Sequence, residues 1–514
     1  MDYSEYIQHV LSNHLLHTDT YTQLSASTAQ QHEMHKYLLY LFENYFASTQ
    51  NSLSNTDKRY FSRSFHEQSY RTPTFYGLIK IHKTPWKICP VVSCCGSLLA
   101  RVSTWVDFHL QRLQHLIPSF IKDSEDLQNQ LSNLTIPPDT KLFTCNAISM
   151  YTNIDVNHSI FVMSEFFSLF RSELPPDFPT SLIISAISII MKNNVFSFGD
   201  TFWLQKTGTA MGTPYACMLA MLYFGFHERT KILPTYTHHI LFFQRFINNV
   251  ICLWHSPTND SQHSANQFQL LQTDMNNFGK LKWEFQPLSQ HTTFLDLNIY
   301  LSLPHISFST FQKPHNLYLY IPPHSAHPPG ITRSLIYGLL RKYWIQNTSH
   351  TSFCHITRLL FQPLIARGHC SEYLTSLFIE AAHNLDRQNR LPTNASKNSN
   401  SYKNDLFLKW RYHPLYIPQR SIRHSYRHTC EMPSFGAPKG FRYTLTRAPP
   451  YVSTNSLLPT LEIEIFKTSS FHPAFHTYRT LLSVHSSPLH NHIETTKTTL
   501  CQEMSPHTIL DSSP

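Results

Sequence analysis

Residues 241–254, LFFQRFINNVICLW, decide the fold because two apolar runs flank a short polar pair. Both runs are rich in aromatic and β-branched residues, which favours two paired strands. Because Asn tolerates the positive φ angles of a tight hairpin, the pattern predicts a turn at Asn248 and Asn249. The local sequence preferences by themselves predict a β-hairpin and indicate no catalytic or binding role for it.

Two other segments combine a short element with a tight loop. Residues 141–154, KLFTCNAISMYTNI, predict a strand that ends near the small polar side chain of Asn146. Residues 206–217, KTGTAMGTPYAC, contain a Gly-x-Ala-Met-Gly loop that allows a ligand to approach the backbone closely. Strand-like segments alternate with helix-like ones, such as residues 99–116, which predicts a mixed α/β protein.

The composition describes a large folded chain with a modest positive charge. Hydrophobic residues make up 41% of the 514 positions, which excludes wholesale disorder and suggests about two to four domains. The 41 Lys and Arg side chains exceed the 32 Asp and Glu side chains, and the formal charge of +9 favours a polyanionic partner. A basic protein without a nucleic-acid partner remains open on charge alone.

The cysteines and the termini of the sequence bear on compartment. None of the ten cysteines forms a C-x-x-C pair, which argues against a zinc finger, and their spread is typical of a reducing compartment. The N-terminus lacks the features of a signal peptide, and the apolar runs are too short to span a bilayer. We therefore expect an intracellular protein that is not secreted and has no transmembrane segment.

A polar tract near residue 395 reads as a linker, and a basic segment follows it. Residues 401–447 carry nine Lys and Arg side chains against two acidic ones, with aromatic residues between them. Attraction to phosphates combined with stacking platforms is typical of single-stranded nucleic-acid binding, and a solvated basic face is the alternative. The candidate nucleic-acid-binding residues are Arg411, Arg420, Arg423 and Arg427.

The order of these segments resembles the palm of a reverse transcriptase. In detail it is similar to the Penelope-like retroelement family, whose polymerase resembles that of telomerase. Five motifs in the family's order make the resemblance specific, and it covers roughly residues 58–345. The matches are the fingers motif at residues 76–83 and 89–93, the first Asp-containing strand at 146–154, the Ala-Met-Gly-Ser/Thr-Pro loop at 210–214, the aromatic-x-Asp-Asp hairpin at 246–249 and the Phe-Leu-Asp-Leu strand at 294–297.

The resemblance implies an α/β (α+β) right-hand polymerase fold with fingers, palm and thumb, followed by a helical, basic C-terminal extension. Many family members end in a GIY-YIG nuclease, and the lack of glycine after Gly440 predicts that this nuclease is missing. The implied regions are an N-terminal region at 1–57, fingers and palm at 58–305, a thumb-like helical region at 306–392, a linker at 393–402 and the basic extension at 403–514.

The resemblance also implies two-metal phosphoryl transfer, in which three aspartates hold two Mg²⁺ ions about 3.5–4 Å apart. Those catalytic positions are occupied here by Asn146, Asn248 and Asn249. An amide keeps the shape and one oxygen of the carboxylate but loses its charge. Two unit charges at about 4 Å already repel by about 4 kcal/mol at an effective dielectric constant near 20, and two divalent ions repel more strongly. We therefore expect Mg²⁺, the family's cofactor, not to bind, with no other metal site and no DNA synthesis.

Other positions of the family's nucleotide site are partly kept. The usual Arg that grips the incoming triphosphate is replaced by Cys89, whereas Lys80 and Lys83 remain as charges that either meet phosphates or are surface residues. Tyr151 matches the bulky residue that packs against the sugar, and an ordinary core aromatic is the alternative. The remaining nucleotide-binding candidates are Gly208, Ala210, Met211 and Gly212.

Four further side chains have weaker assignments by resemblance. Gln205 and Lys206 fit a strand that faces the template, and a Lys within residues 278–283 is a candidate general acid toward pyrophosphate. Asp296 is expected to order the strand between palm and thumb.

Three functions therefore stay open, and so does the question of whether the chain is an enzyme. The first is a reverse-transcriptase-like protein whose polymerase site is inactive. The second is a non-catalytic nucleic-acid-binding protein derived from a retroelement. The third is a working enzyme that recruits other carboxylates, such as Asp155 or Asp296. The resemblance implies an RNA template with a DNA primer, or an RNA–DNA duplex, as the partner and the nucleus as a location, with no membrane association; it leaves the oligomeric state undetermined.

Overall fold

The computed structural model describes residues 2–24, 53–65, 71–80, 86–256, 261–302, 304–314, 318–325 and 330–390, a few isolated residues between these ranges, and the backbone of three later strands. The helices are α1 (Tyr3–Val10), α2 (Asn55–Phe65), α3 (Leu98–Gln111), α4 (Ser124–Ser132), α5 (Met150–Asn153), α6 (Val156–Leu169), α7 (Thr180–Lys192), α8 (Ala216–His227), α9 (Leu233–Thr235), α10 (Ser261–Asn276), α11 (Ile331–Gln346), α12 (His350–Ala366) and α13 (Ser371–Arg390). The strands are β1 (Tyr21–Leu24), β2 (Thr74–Lys80), β3 (Lys87–Ser93), β4 (Thr140–Ala147), β5 (Val195–Phe198), β6 (Thr201–Gln205), β7 (Ile240–Phe246), β8 (Asn249–His255), β9 (Trp283–Phe285), β10 (His291–Phe294), β11 (Leu297–Ser302), β12 (His305–Thr310), β13 (Asp405–Tyr412), β14 (Gly440–Arg447) and β15 (Glu462–Glu464).

The chain divides into two compact units, and the mixture of helices and strands confirms the predicted α/β class. The first unit comprises residues 1–317 and 345–354, and the second comprises residues 318–344 and 355–514. Within the described part of the chain, every helix is too short or too polar to cross a membrane.

The second unit contains α13 and a three-stranded sheet in the order β14-β13-β15. The basic C-terminal extension was expected to be helical, but its described residues are these three strands, with β13 parallel to β14. β-rich runs such as Phe407 to Tyr412 account for the difference, since aromatic residues favour strands over helices.

The first unit is organised around a four-stranded sheet in the order β7-β8-β4-β9. Alternate side chains of its central strands enter two different cores, as the two-residue period of a strand requires. Phe143 and Cys145 pack on the side of the large helical core, together with Val250 and Cys252. Leu142 packs on the opposite side, which is covered by the sheet of β10, β11 and β12. Because both faces are covered, the strands are continuous apolar runs rather than alternating ones.

The predicted hairpin is present, but its turn is displaced by one residue. Phe246 pairs with Asn249, so the two turn residues are Ile247 and Asn248 rather than Asn248 and Asn249. Ile247 has a φ of 55°, which is a strained conformation for a β-branched residue. Its carbonyl accepts a hydrogen bond of 2.9 Å from Arg245 Nη1, and its N–H lies 3.2 Å from Met221 Sδ. These tertiary contacts outweigh the local preference for Asn at positive φ.

The Phe-Leu-Asp-Leu segment, predicted as a strand, is instead a second tight hairpin. Phe294 ends β10 and pairs with Leu297, which begins β11, so Leu295 and Asp296 form a two-residue turn. Leu295 has a φ of 55°. Phe294 and Leu297 are both buried in the core beneath the central sheet, and their burial fixes the turn between them.

A buried ion pair joins this central sheet to the helical core. Arg245 of β7 and Glu228, which follows α8, are both 0% exposed. Arg245 donates to Glu228 through Nε at 2.6 Å and through Nη2 at 3.0 Å, and Nη2 also donates to the Met221 carbonyl at 2.7 Å. Ser119 Oγ donates to the second carboxylate oxygen at 2.6 Å. The two buried charges are therefore surrounded by hydrogen bonds that offset their desolvation.

The change Glu228→Gln is expected to lower the free energy of unfolding by about 3–5 kcal/mol, because it leaves the Arg245 charge buried without a counter-charge. The matched control is Glu173→Gln, which breaks the 2.7 Å pair with Arg229, where the glutamate is 43% exposed. That change is expected to cost at most about 1 kcal/mol. Urea unfolding followed by far-UV circular dichroism measures both, and equal losses would contradict the role of the buried pair.

Candidate functional site

The three amides predicted at the catalytic positions lie together at one end of the central sheet. Asn146, near the end of β4, pairs directly with Asn249, the first residue of β8. Asn248 lies in the adjoining turn, and its carbonyl accepts a hydrogen bond of 2.8 Å from the Ala147 N–H. Directly opposed residues of an antiparallel pair lie on the same face, so Asn146 and Asn249 share one face. The structure thus brings Asn146 together with two side chains that lie about 100 residues further along the sequence.

The amides form a chain of hydrogen bonds among themselves. Asn248 Nδ2 donates to Asn146 Oδ1 at 2.5 Å, and Asn249 Nδ2 donates to Asn248 Oδ1 at 3.3 Å. Asn248 is therefore both a donor and an acceptor, whereas Asn146 accepts and Asn249 donates. Two of the three side-chain oxygens are already used by N–H groups.

This set of donors does not fit a pair of Mg²⁺ ions. Mg²⁺ requires oxygen ligands in nearly octahedral geometry and prefers anionic ones, whereas the three amides are neutral and two of their oxygens face N–H groups. Among the described residues, no group of three or more His, Cys, Asp or Glu side chains is arranged to hold a metal ion.

One carboxylate beside the amides was not found from the sequence. Glu284 of β9 pairs with Asn146 on the side away from Asn249, so it lies on the same face of the sheet. Its side chain is exposed. The short strand β9 has no sequence signal that specifies its register against β4, so only the structure could place Glu284 here.

The two carboxylates expected as alternative catalytic groups, Asp155 and Asp296, have other partners or positions. Asp155 accepts a hydrogen bond of 3.0 Å from the His158 N–H at the start of α6 and forms a 3.0 Å ion pair with Lys280. The His158 N–H, followed by Lys280, holds the pKa of Asp155 below its usual value. Asp296 lies in the turn between β10 and β11.

The lysines of residues 278–283 are likewise engaged with the protein. Lys280 pairs with Asp155, and Lys282 Nζ donates to the Asn276 carbonyl at 3.1 Å. The assignment of either as a general acid stays a prediction.

The glycine-containing loop is held between two elements of the first unit. The Gly208 N–H donates to the Ile154 carbonyl at 3.0 Å, and the Val92 N–H of β3 donates to the Met211 carbonyl at 2.8 Å. A Cβ atom on Gly212, whose φ is 114°, would lie 2.3 Å from the Val92 carbonyl oxygen. The close approach that these glycines permit is thus to the protein's own backbone. Ala210, between them, is buried.

The strand that leads into this loop contributes to the same packing. Gln205 is only 2% exposed; its Oε1 accepts from Asn194 Nδ2 at 3.1 Å, and its Nε2 donates to the Thr207 carbonyl at 2.9 Å. Gln205 therefore supports the loop and does not face a template, whereas its neighbour Lys206 is exposed.

The remaining nucleotide-site candidates lie partly around the loop. Cys89 of β3 is half-buried, and its Sγ lies 3.5 Å from Met211 Sδ. Tyr151 is half-buried against the helical core, and its hydroxyl lies 3.3 Å from Cys217 Sγ. Burial, together with the thiols of Cys217 and Cys89, raises the pKa of Tyr151. Lys80 is exposed at the end of β2.

Four of the remaining candidate residues lie outside the described part of the chain. They are the nucleotide-site candidate Lys83 and the nucleic-acid-binding candidates Arg420, Arg423 and Arg427. Arg411 lies on β13, of which the backbone alone is described.

Comparison with known proteins gives similarities in structure alone. No protein-family model matches the chain, and no curated protein sequence is similar to it. A telomerase from Candida albicans, solved with a TWJ fragment of telomeric RNA, is similar at a TM-score of 0.43 and 9% identity, covering 61% of this chain and 60% of that chain. An apo telomerase from Candida tropicalis gives a TM-score of 0.37 at 11% identity, with 63% and 58% covered.

The BmCPV RNA-dependent RNA polymerase in its elongation state gives a TM-score of 0.35 at 7% identity, covering 62% of this chain and 28% of that chain. The chain thus spans about three fifths of the telomerase chains and a smaller part of the viral polymerase.

The hydrogen-bond chain predicts an asymmetric response to restoring single carboxylates. Asn146→Asp keeps an acceptor for Asn248 and is expected to change stability by less than about 0.5 kcal/mol. Asn248→Asp removes the donor to the exposed Asn146 side chain, at a cost of about 0.5–1.5 kcal/mol. Thermal unfolding in the presence of EDTA measures both variants, and equal stability losses would show that the amide chain is not formed.

Gly212→Ala is expected to destabilise the first unit by at least about 1–3 kcal/mol, because the added methyl meets the Val92 carbonyl at a positive φ. Gly199→Ala is the matched control, since Gly199 also has a positive φ but nothing lies within 4 Å of the added atom. Its expected loss is confined to the backbone strain. Urea midpoints of the two variants test the difference, and a Gly212 variant no worse than the control would argue against the close packing of this loop on β3.

Proposed function

We propose that the chain is a reverse-transcriptase-like protein of the Penelope type, with fingers, palm and thumb, whose polymerase centre is inactive. The observation that carries the proposal is the hydrogen-bonded set of Asn146, Asn248 and Asn249 at one end of the central sheet. In the Penelope-like family, which this chain resembles, these three positions are carboxylates on a strand and on the adjoining hairpin. The pairing of Asn146 with Asn249 supports the correspondence.

Electrostatics supports the loss of catalysis. The carboxylates of a two-metal centre offset the repulsion between the cations and position the attacking and leaving oxygens. The three amides supply no charge. Among the described residues that pair with β4 next to Asn146, Glu284 is the one carboxylate on the same face of the sheet. One carboxylate does not offset four positive charges at short range. The Cys at position 89, where the family has Arg, also removes a bidentate contact to the triphosphate.

A second function, nucleic-acid binding without catalysis, is supported by the basic composition of residues 401–447. Contacts between basic side chains and phosphates do not require catalytic carboxylates. By this proposal the protein therefore binds RNA or an RNA–DNA duplex without acting on it. The nucleus would then be its location.

Primer extension on an RNA template with Mg²⁺ and deoxynucleotides tests the loss of catalysis. The unaltered chain is expected to add no nucleotide. The combined changes Asn146→Asp, Asn248→Asp, Asn249→Asp and Cys89→Arg are expected to restore extension, because they return the charges and the triphosphate contact. A matched control carries Asn133→Asp on the exposed end of α4 and should stay inactive. Extension by the unaltered chain would overturn the proposal.

Filter binding of single-stranded RNA across a salt series tests the second function. We expect log affinity to fall linearly with log salt concentration, by about 0.7 for each phosphate contact. Replacing Arg411, Arg420, Arg423 and Arg427 by Ala should reduce both the affinity and this slope. Binding that is weak and independent of salt would leave the protein without a nucleic-acid function.

A further inference from the structure

One row of polar side chains crosses three strands of the central sheet where the amides lie. Asn146 of β4 pairs with Glu284 of β9 on one side and with Asn249 of β8 on the other. Directly opposed residues of antiparallel strands lie on the same face of a sheet, so a carboxylate and two amides stand side by side there. Asn146 and Glu284 are exposed and Asn249 is half-buried, so the row is accessible from solvent.

The amide set (Asn146, Asn248 and Asn249) has more hydrogen-bond donors left over than acceptors. Each amide nitrogen carries two hydrogens, and each amide oxygen accepts. Asn248 Nδ2 and Asn249 Nδ2 each donate to one neighbouring amide, while Asn146 Nδ2 donates to none of the described residues. Every member therefore keeps a free N–H, whereas the oxygens of Asn146 and Asn248 already accept a hydrogen bond each. A ligand rich in acceptor oxygens fits this set best.

Charge decides which acceptor the amide set can hold. In the Penelope-like family, which this chain resembles, the three positions are aspartates, which donate no hydrogen bond when ionised and repel a phosphate unless cations lie between them. Asn side chains are neutral and donate directly to phosphate oxygens in protein–DNA complexes. The exchange of carboxylates for amides therefore removes the repulsion and supplies donors at the same place. Of the side chains in the row, Glu284 is the one that still repels a phosphate.

We propose that the amide set binds a phosphate group of a nucleic-acid strand directly, without Mg²⁺. The contact consists of hydrogen bonds from the free N–H groups of the three amides to the phosphate oxygens. This inference rests on the proposed binding of RNA or an RNA–DNA duplex and deepens it, because it adds a metal-independent contact at the inactive centre. The neutrality that prevents the amide set from holding paired Mg²⁺ ions is also what permits this contact.

Fluorescence anisotropy of a short fluorescein-labelled RNA–DNA duplex measures the affinity of the full-length chain, once in EDTA and once in Mg²⁺ at the same ionic strength. The unaltered chain is expected to bind equally well in both. The combined changes Asn146→Asp, Asn248→Asp and Asn249→Asp are expected to weaken binding in EDTA by at least about tenfold, because three carboxylates then face the phosphate. Mg²⁺ should restore most of the loss in this variant, because cations offset the repulsion between the carboxylates and the phosphate.

Two single changes test the same site without the triple replacement. Asn146→Asp keeps the acceptor for Asn248, so the amide hydrogen bond is retained, and it should weaken binding in EDTA by about threefold. Glu284→Gln removes the remaining carboxylate of the row and should strengthen binding in EDTA by about the same factor. The matched control Asn133→Asp adds a carboxylate at the exposed end of α4 and should leave both affinities unchanged. Circular dichroism of every variant checks folding.

The outcomes separate this inference from the proposed function. If Asn146→Asp and the triple variant bind in EDTA as tightly as the unaltered chain, the inference is wrong and the duplex is bound elsewhere, while the proposed function stands. A requirement of the unaltered chain for Mg²⁺ would also overturn the inference. Absence of any duplex binding would overturn both the inference and the proposed nucleic-acid binding. Primer extension by the unaltered chain would instead contradict the proposed loss of catalysis.

Discussion

The buried pair of Arg245 and Glu228 is the interaction on which the position of the candidate site depends. Arg245 holds the carbonyl of Ile247 in the hairpin turn and the carbonyl of Met221 in α8, while its charge is balanced by Glu228. A shift of the turn would therefore take a hydrogen-bond acceptor away from the buried Arg245 charge. The turn sets the register of β8 on β7, and the Asn248 carbonyl in it accepts a 2.8 Å hydrogen bond from the Ala147 N–H of β4, beside the pairing of Asn249 with Asn146.

The sequence predicted those features that local periodicity controls. The α/β class followed from the pattern, and so did the hairpin of residues 241–254, because long apolar strands and periodic helices are determined by nearby residues. The turn was placed one residue too far along, since the propensity of Asn for positive φ was weighed without Arg245 and Met221. Those two contacts come from the tertiary structure, and they force Ile247 into the strained position instead.

The site was predictable only in part for a related reason. Family motifs indicated that Asn146, Asn248 and Asn249 meet, but no motif indicated Glu284, whose place depends on the register of a three-residue strand. Likewise, Cys89 and Met211 were assigned separately, one as a lost Arg and the other as a loop residue. Their contact depends on the hydrogen bond between Val92 and Met211, which joins an edge strand to a loop more than a hundred residues away.

The amide set shows how three polar side chains lie together at one end of the sheet without any charge. Three carboxylates at one end of a sheet repel one another and need cations to be held together. An amide contains both a donor and an acceptor, so Asn248 satisfies both neighbours without any ion. Hydrogen bonds within the chain therefore join the three side chains at this end of the sheet. The three positions are consequently coupled through Asn248, the one member that both gives and receives a hydrogen bond, and a change there affects the other two.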